Sequence, residues 1–175
     1  MLNQLQKLRT KKSEQGFTII EVMIVLAIAG LIILIVMLAV PALQRNGRNT
    51  AIKNDASAVT AGIAEFSSNN DGALPTAADS DSTTTPGEII IKNKTGAPAT
   101  VKVQSSTKVN LVKDGSVKAI TPVSGELNIT FGTKCPTGVA GNATAITPTL
   151  ANRSSTLIYG IEGSGGTVTA KCIDS

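Results

Sequence analysis

Histidine and tryptophan are absent from the 175 residues, and only two cysteines and four aromatic side chains, Phe17, Phe66, Phe131 and Tyr159, are present. Without histidine there is no Ser-His-Asp or Cys-His catalysis and no imidazole metal ligand. Two cysteines alone do not complete a zinc or iron–sulfur site. Few aromatics leave little π-surface for stacking on single-stranded nucleic acid, so no stable nucleic-acid binding is expected. No nucleophile–base set can be assembled, which reads as a non-enzyme with no cofactor. Calcium needs several clustered oxygens, yet residues 127–175 hold only Glu162 and Asp174 as acids. Asp79 and Asp81 read as a solvated loop, so no metal site is expected.

The length fits one domain. Its formal net charge of +4 is concentrated at the start. Residues 1–16 carry Lys7, Arg9, Lys11 and Lys12 against Glu14, whereas the remaining residues nearly balance. Such a distribution predicts no basic patch of the kind a nucleic-acid binder shows on its folded part.

From Phe17 to Val40 the chain reads FTIIEVMIVLAIAGLIILIVMLAV, with Glu21 as its only charge. Residues 22–40 would span roughly 30 Å as a helix, the thickness of a bilayer core. A soluble domain of this size could not surround such a segment as a core helix. The basic stretch before it predicts a cytoplasmic N-terminus and an exported C-terminal part. An ordinary secretory signal would have a shorter apolar core and a small-residue cleavage site after it. Here Ala39-Val40-Pro41-Ala42 is a poor substitute, and the sharp polar-to-apolar junction, Gly16-Phe17, precedes the run. A carboxylate near or within a bilayer is costly, and such residues tend to be functional and paired; a snorkelling surface carboxylate is the plainer alternative for Glu21.

At this junction the sequence KKSEQGFTIIEV, residues 11–22, resembles the type IV pilin family. The family pattern is a short basic leader ending in Gly, then Phe, then an apolar run with Glu at its fifth position. Gly16, Phe17 and Glu21 fill those places, and the match extends to about residue 40. The resemblance implies cleavage after Gly16 by a membrane prepilin peptidase and N-methylation of Phe17. It implies that Glu21 pairs with the N-terminal amine of a neighbouring subunit during assembly on an inner-membrane platform. It also implies helix melting between a Gly and a Pro, here Gly30 and Pro41, with Pro41 about one turn later than usual. By physics alone, Pro41 cannot donate to the carbonyl of Met37 and should kink the helix.

The apolar run continues into a stretch with helical spacing. Ile52, Ala56, Val59, Ile63 and Phe66 form one stripe, and Lys53, Asp55, Thr60 and Glu65 are expected on the opposite face. One helix over about 17–66 is predicted, its second half packed on a sheet. The cluster Asn46-Gly47-Arg48-Asn49 is expected as a second weak point. Ser67-Ser68-Asn69-Asn70-Asp71-Gly72 should stop the helix, with Leu74-Pro75 preventing its resumption. Residues 67–87 then read as a surface loop, either a plain connector or, as the resemblance implies, a contact with neighbouring subunits.

Beyond this loop the period changes to two. Candidate strands are 88–92, 100–104, 108–112, 116–120, 126–131, 156–161 and 167–172. KDGS at 113–116 and GSGG at 163–166 read as hairpin turns, and 132–154 as a long loop or irregular region. Sequons at Asn93, Asn128, Asn142 and Asn152 arise readily by chance in a Ser/Thr-rich chain, and no glycan is inferred. Cys135 and Cys172 both lie in the expected exported part. One disulfide is expected there, resembling the C-terminal disulfide-bounded region of pilins; free thiols are the alternative in a reducing compartment.

The expected fold is α+β and pilin-like, a long N-terminal helix on an antiparallel sheet head. Its divisions are a leader at 1–16, an apolar half-helix at 17–41, an amphipathic half-helix at 42–66 and a head at 67–175. The first functional reading is a structural subunit of an extracellular type IV pilus, polymerising with copies of itself, with adhesion, twitching motility or DNA uptake as properties of the filament. A pseudopilin of a secretion system is the second. A monomeric membrane-anchored binding module is the third, and it would need neither the Gly-Phe junction nor Glu21.

Overall fold

The computed structural model describes residues 16–82, 87–112, 118–138 and 143–175. Two compact units are present, one ending at Ala42 and one comprising Leu43–Ser175. A single helix, α1 (Ile19–Asn69), is continuous through Gly30, Pro41 and Gly47.

In the first unit, the apolar side chains of α1 are exposed, from Ile19 to Met37 and Leu38. None of the most apolar 18-residue window is buried, and the helix is long and apolar enough to cross a membrane. Leaving so many Ile, Leu and Val side chains in water opposes the hydrophobic effect by about 1.5–3 kcal/mol for each. Lipid or other protein is the environment such a surface requires.

The second unit is α+β, and its strands divide into two sheets. β1 (Glu88–Ile91) pairs antiparallel with β2 (Ala99–Lys102). β3 (Lys108–Leu111), β4 (Glu126–Lys134), β5 (Thr149–Glu162) and β6 (Val168–Asp174) form the other sheet in that order. β4–β5 and β5–β6 are antiparallel. β3–β4 is parallel, with Val109 opposite Leu127. That pair departs from the all-antiparallel expectation. A parallel neighbour cannot be reached by a tight turn, so β3 and β4 are joined by a longer connection. Lys118 and Ala119 are not in a strand, and Ile120 makes an isolated bridge to Ile146. The expected turn at 113–116 and the first part of the expected strand at 116–120 lie outside the described residues, as do Asn142 and residues 1–15 of the expected leader.

The helical stripe packs as its spacing predicts. Ile52, Ala56, Val59, Ile63 and Phe66 are buried with Ile89, Ile91 and Val101 of the small sheet and with Leu127, Ile129, Leu157 and Tyr159 of the large one. Gly62 brings helix and small sheet into close approach, because a Cβ there would lie 2.0 Å from Val101 Cγ2. On the opposite face of the large sheet, Ile158 and Ala170 pack with Ile146, Ile120 and Cys172. β5 is therefore covered on both faces, which explains its long buried run.

Asp55 differs from its expected place on the polar face, being only 5% exposed. Its carboxylate accepts from the Gln104 amide at 3.2 Å and from the Thr107 hydroxyl. The turn between β2 and β3 supplies the partners that a buried carboxylate requires. Residues 46–49 differ as well, for they anchor the helix instead of weakening it. Asn49 makes paired bonds with the Glu162 backbone, donating Nδ2–H to its carbonyl at 2.9 Å and accepting its amide at 2.8 Å. Arg48 grips the Glu162 carboxylate with Nε at 2.9 Å and Nη2 at 2.6 Å, and the Ser124 hydroxyl also donates to it. The Arg48 grip, followed by the Ser124 hydroxyl, holds the Glu162 carboxyl down to about 2.

The helix ends three residues later than expected. Asp71 and Gly72 adopt left-handed backbone, φ 54° and 76°, and the Gly72 amide donates to the Ser67 carbonyl at 2.8 Å. Such a turn returns the chain while satisfying a terminal carbonyl. Asn70 closes the end, its Nδ2 donating to Phe66 O at 2.8 Å while its Oδ1 accepts the Ala97 amide at 3.0 Å. Residues 76–82 then follow β1. The Thr76 amide donates to Lys92 O, Asp81 exchanges backbone bonds with Ile90, and Ser80 Oγ both accepts from Lys92 N–H and donates to Lys92 O.

The expected loop at 132–154 is partly strand. β4 runs on to Lys134, and β5 starts at Thr149. A register shift between Phe131 and Thr133 separates this outer hairpin from the main ladder. The GSGG segment does connect two antiparallel strands, through a short 3₁₀ turn at Ser164–Gly166.

Candidate functional site

The junction singled out by the sequence lies where α1 begins. Gly16, Phe17 and Thr18 precede the helix, and Phe17 is 88% exposed. Thr18 is the N-cap. Its carbonyl accepts from the Val22 amide at 3.4 Å, and its hydroxyl oxygen accepts from the Glu21 amide at 3.3 Å. Glu21 returns the interaction, since Oε2 accepts from the Thr18 amide at 2.9 Å and from the Thr18 hydroxyl at 2.8 Å.

Thr-x-x-Glu with reciprocal bonds is a capping box, which satisfies amides that the first helical turn leaves without partners. The carboxylate is also favourably placed against the positive end of the helix dipole. The sequence carried this signal as Thr18-Ile19-Ile20-Glu21, but the spacing from Gly16 drew attention to Glu21 alone. Thr18 is thus a residue that sequence reasoning missed. Beside it, Phe17, Glu21, Val22, Val25 and Leu26 line an open hollow of about 410 Å³.

The junction joins an exposed non-helical peptide to a helix whose apolar side chains are exposed and whose first turn holds a carboxylate. Residues 11–37 match the model of the prokaryotic N-terminal methylation motif.

This chain carries that methylation motif.

It is the class III signal of type IV pilins, and it supports a type IV pilin-like or pseudopilin protein. The signal and the exposed apolar helix together fit membrane anchoring before assembly. The match ends at residue 37, so the head is outside it. No curated protein and no solved structure matches the chain.

The other sites proposed from sequence lie elsewhere. Gly30 and Pro41 are both inside α1, with helical residues on either side. A Cβ at Gly30 would meet nothing within 4 Å. Cys135 and Cys172 form a disulfide with Cα atoms 6.0 Å apart. It ties the segment after β4 to β6, and Asp174 Oδ1 accepts the Cys135 amide at 2.5 Å beside it. Those two sulfurs and the Asp174 carboxylate lie within 4.8 Å of one another. With the sulfurs bonded to each other, no thiolate remains to hold a metal. Asp79 accepts from the Thr76 hydroxyl at 2.5 Å, and Asp81 is engaged through its backbone. Of the sequons, Asn128 is buried in β4.

Proposed function

We propose that this protein is a structural subunit of an extracellular type IV pilus. In this reading a prepilin peptidase cleaves after Gly16, and Phe17 becomes the methylated N-terminus. The apolar half of α1 anchors the subunit in the cytoplasmic membrane with its N-terminus on the cytoplasmic side. An assembly platform then moves it into a filament of identical subunits, where the apolar helix is buried among its copies. Glu21 pairs with the Phe17 amine of a neighbour and sets axial register. Gly30 and Pro41 mark the segment that loses helical structure in the filament. The protein performs no catalysis of its own; adhesion, twitching motility or DNA uptake belong to the polymer.

The observation that carries the reading is the Gly16-Phe17 junction with Glu21 inside a matched methylation motif. The same motif serves a pseudopilin of a secretion system, the second reading. An anchored monomer would need neither the cleavage junction nor Glu21. Replacing Glu21 by Ala separates the classes. Filament recovery should fall to background with the processed chain retained in membranes, whereas undiminished surface material would contradict the proposal.

A further inference from the structure

The stretch of α1 that follows the apolar run is positively charged. Between Val40 and Asp55 the chain carries Arg45, Arg48 and Lys53 and no acid. Arg45 is partly buried, and it continues the stripe of Ile52, Ala56 and Val59 through Asn49 toward the start of the helix. It acts on Glu162 through charge alone. The Glu162 carboxylate is already taken, for Arg48 donates to both of its oxygens and the Ser124 hydroxyl donates to Oε1. Arg48 thus neutralises Glu162, and Arg45 makes no hydrogen bond among the described residues. A guanidinium offers N–H donors in a fixed fork and cannot shed its charge. Partly withdrawn from water with that fork unspent, it is costly unless an anion meets it.

The place of Arg45 in the chain says which anion is at hand. The apolar stretch ends on exposed Leu43, and Gln44 and Arg45 follow directly. The headgroup layer on each side of the hydrocarbon core is about 5–8 Å deep, or roughly three to five helical residues. In a spanning α1 that layer takes in residues 44–48. An open hollow of about 400 Å³ lies on the same turns, lined by Gln44, Arg48, Gln104, Ser106 and Thr107 among others. Such amide and hydroxyl side chains suit a hydrated headgroup and not an acyl chain.

We infer that Arg45 binds the phosphate of an anionic phospholipid at the exported face of the membrane, while Arg48 stays on Glu162. The guanidinium fork matches two phosphate oxygens at once. A zwitterionic lipid carries the same phosphate beside a cation of its own, so the net attraction favours the anionic one. This rests on the membrane-anchored stage of the reading above and adds the lipid that the anchored subunit holds.

The test uses the full chain in detergent with equal amounts of phosphatidylglycerol and phosphatidylcholine, the bound lipids being counted by native mass spectrometry. Arg45→Gln should lower the ratio of bound phosphatidylglycerol to phosphatidylcholine about fivefold, the factor expected of one basic side chain near an anionic surface. The basic residues of the leader are common to all variants and drop out of that comparison. Lys53→Gln removes the same charge about two turns further along and should leave the ratio unchanged, and Arg45→Lys should keep most of it. Inorganic phosphate in excess should not displace the lipid. A second measurement needs no variant: in phosphatidylglycerol vesicles, carbon–phosphorus dipolar solid-state NMR should show the Arg45 guanidinium carbon in contact with lipid phosphorus.

An unchanged ratio for Arg45→Gln, or an equal fall for Lys53→Gln, would overturn the inference, since net charge and not a site would then be at work. Displacement by inorganic phosphate would overturn it in favour of a free-anion site, and so would the absence of a carbon–phosphorus contact. A chain that inserts equally into vesicles of either lipid and fails these tests leaves the anchoring intact. A chain that inserts into neither sinks the anchoring itself, and this inference with it.

Discussion

At the residue scale, Glu162 shows how one side chain can hold a helix to a sheet. Its carboxyl lies well below the ordinary value of 4.5, at about 2, chiefly through the Arg48 bonds. A depressed carboxyl contributes stability above its unfolded pKa, and that contribution is lost as pH falls through the folded value. The latch is therefore fully present above about pH 5 and disappears toward pH 2. The Arg48 side chain is half exposed, so solvent screens the pair and its contribution is small. Arg48→Ala should lower denaturant stability of the full chain in micelles slightly at pH 7. The gap between the two proteins should close on acidification through that window; a gap independent of pH would show that the carboxylate is not the partner that matters. Gly62 supplies a second test. Alanine would raise helix propensity by about 1 kcal/mol, yet its methyl would meet Val101, a stiff β-branched side chain. Overpacking costs about 1–3 kcal/mol, so Gly62→Ala should lower the melting temperature of the second unit. A rise would mean that helix and sheet can separate freely at this point.

At the scale of elements, the amphipathic part of α1 was legible because period alone determines which face is apolar. Ile52 to Phe66 follow that period and are buried. Asp55 was not legible, because its burial depends on a turn some fifty residues away that supplies two donors. Most strands were found by alternation. The outer hairpin was missed because a register shift and the polar run Asn152-Arg153-Ser154-Ser155 hide the strand in β5. The parallel β3–β4 pair was equally hidden, since strand spacing carries no information about direction. At the candidate site, Gly16, Phe17 and Glu21 were visible from their order, whereas Thr18 needed the capping geometry. The Cys135–Cys172 bridge closes a sequence separation of 37 residues. Replacing both by Ser should cost up to about 4 kcal/mol in the chain-entropy model. Thermal unfolding with and without reductant would check this. The intact protein should lose that stability on reduction, and the double variant should not respond.

At the scale of the whole molecule, the two units ask for different surroundings. Residues from Leu43 onward bury their own core beneath two sheets. Among the described residues, the most apolar part of α1 has no buried residue. In the proposed reading that surface meets lipid first and other subunits later, with processing at the methylation motif between the two stages. The most direct test is the intact mass and N-terminal sequence of the protein sheared from the surface of cells. The account predicts a chain beginning at methylated Phe17 and recovered in filaments. A chain still carrying residues 1–16 and never released from the membrane would contradict it.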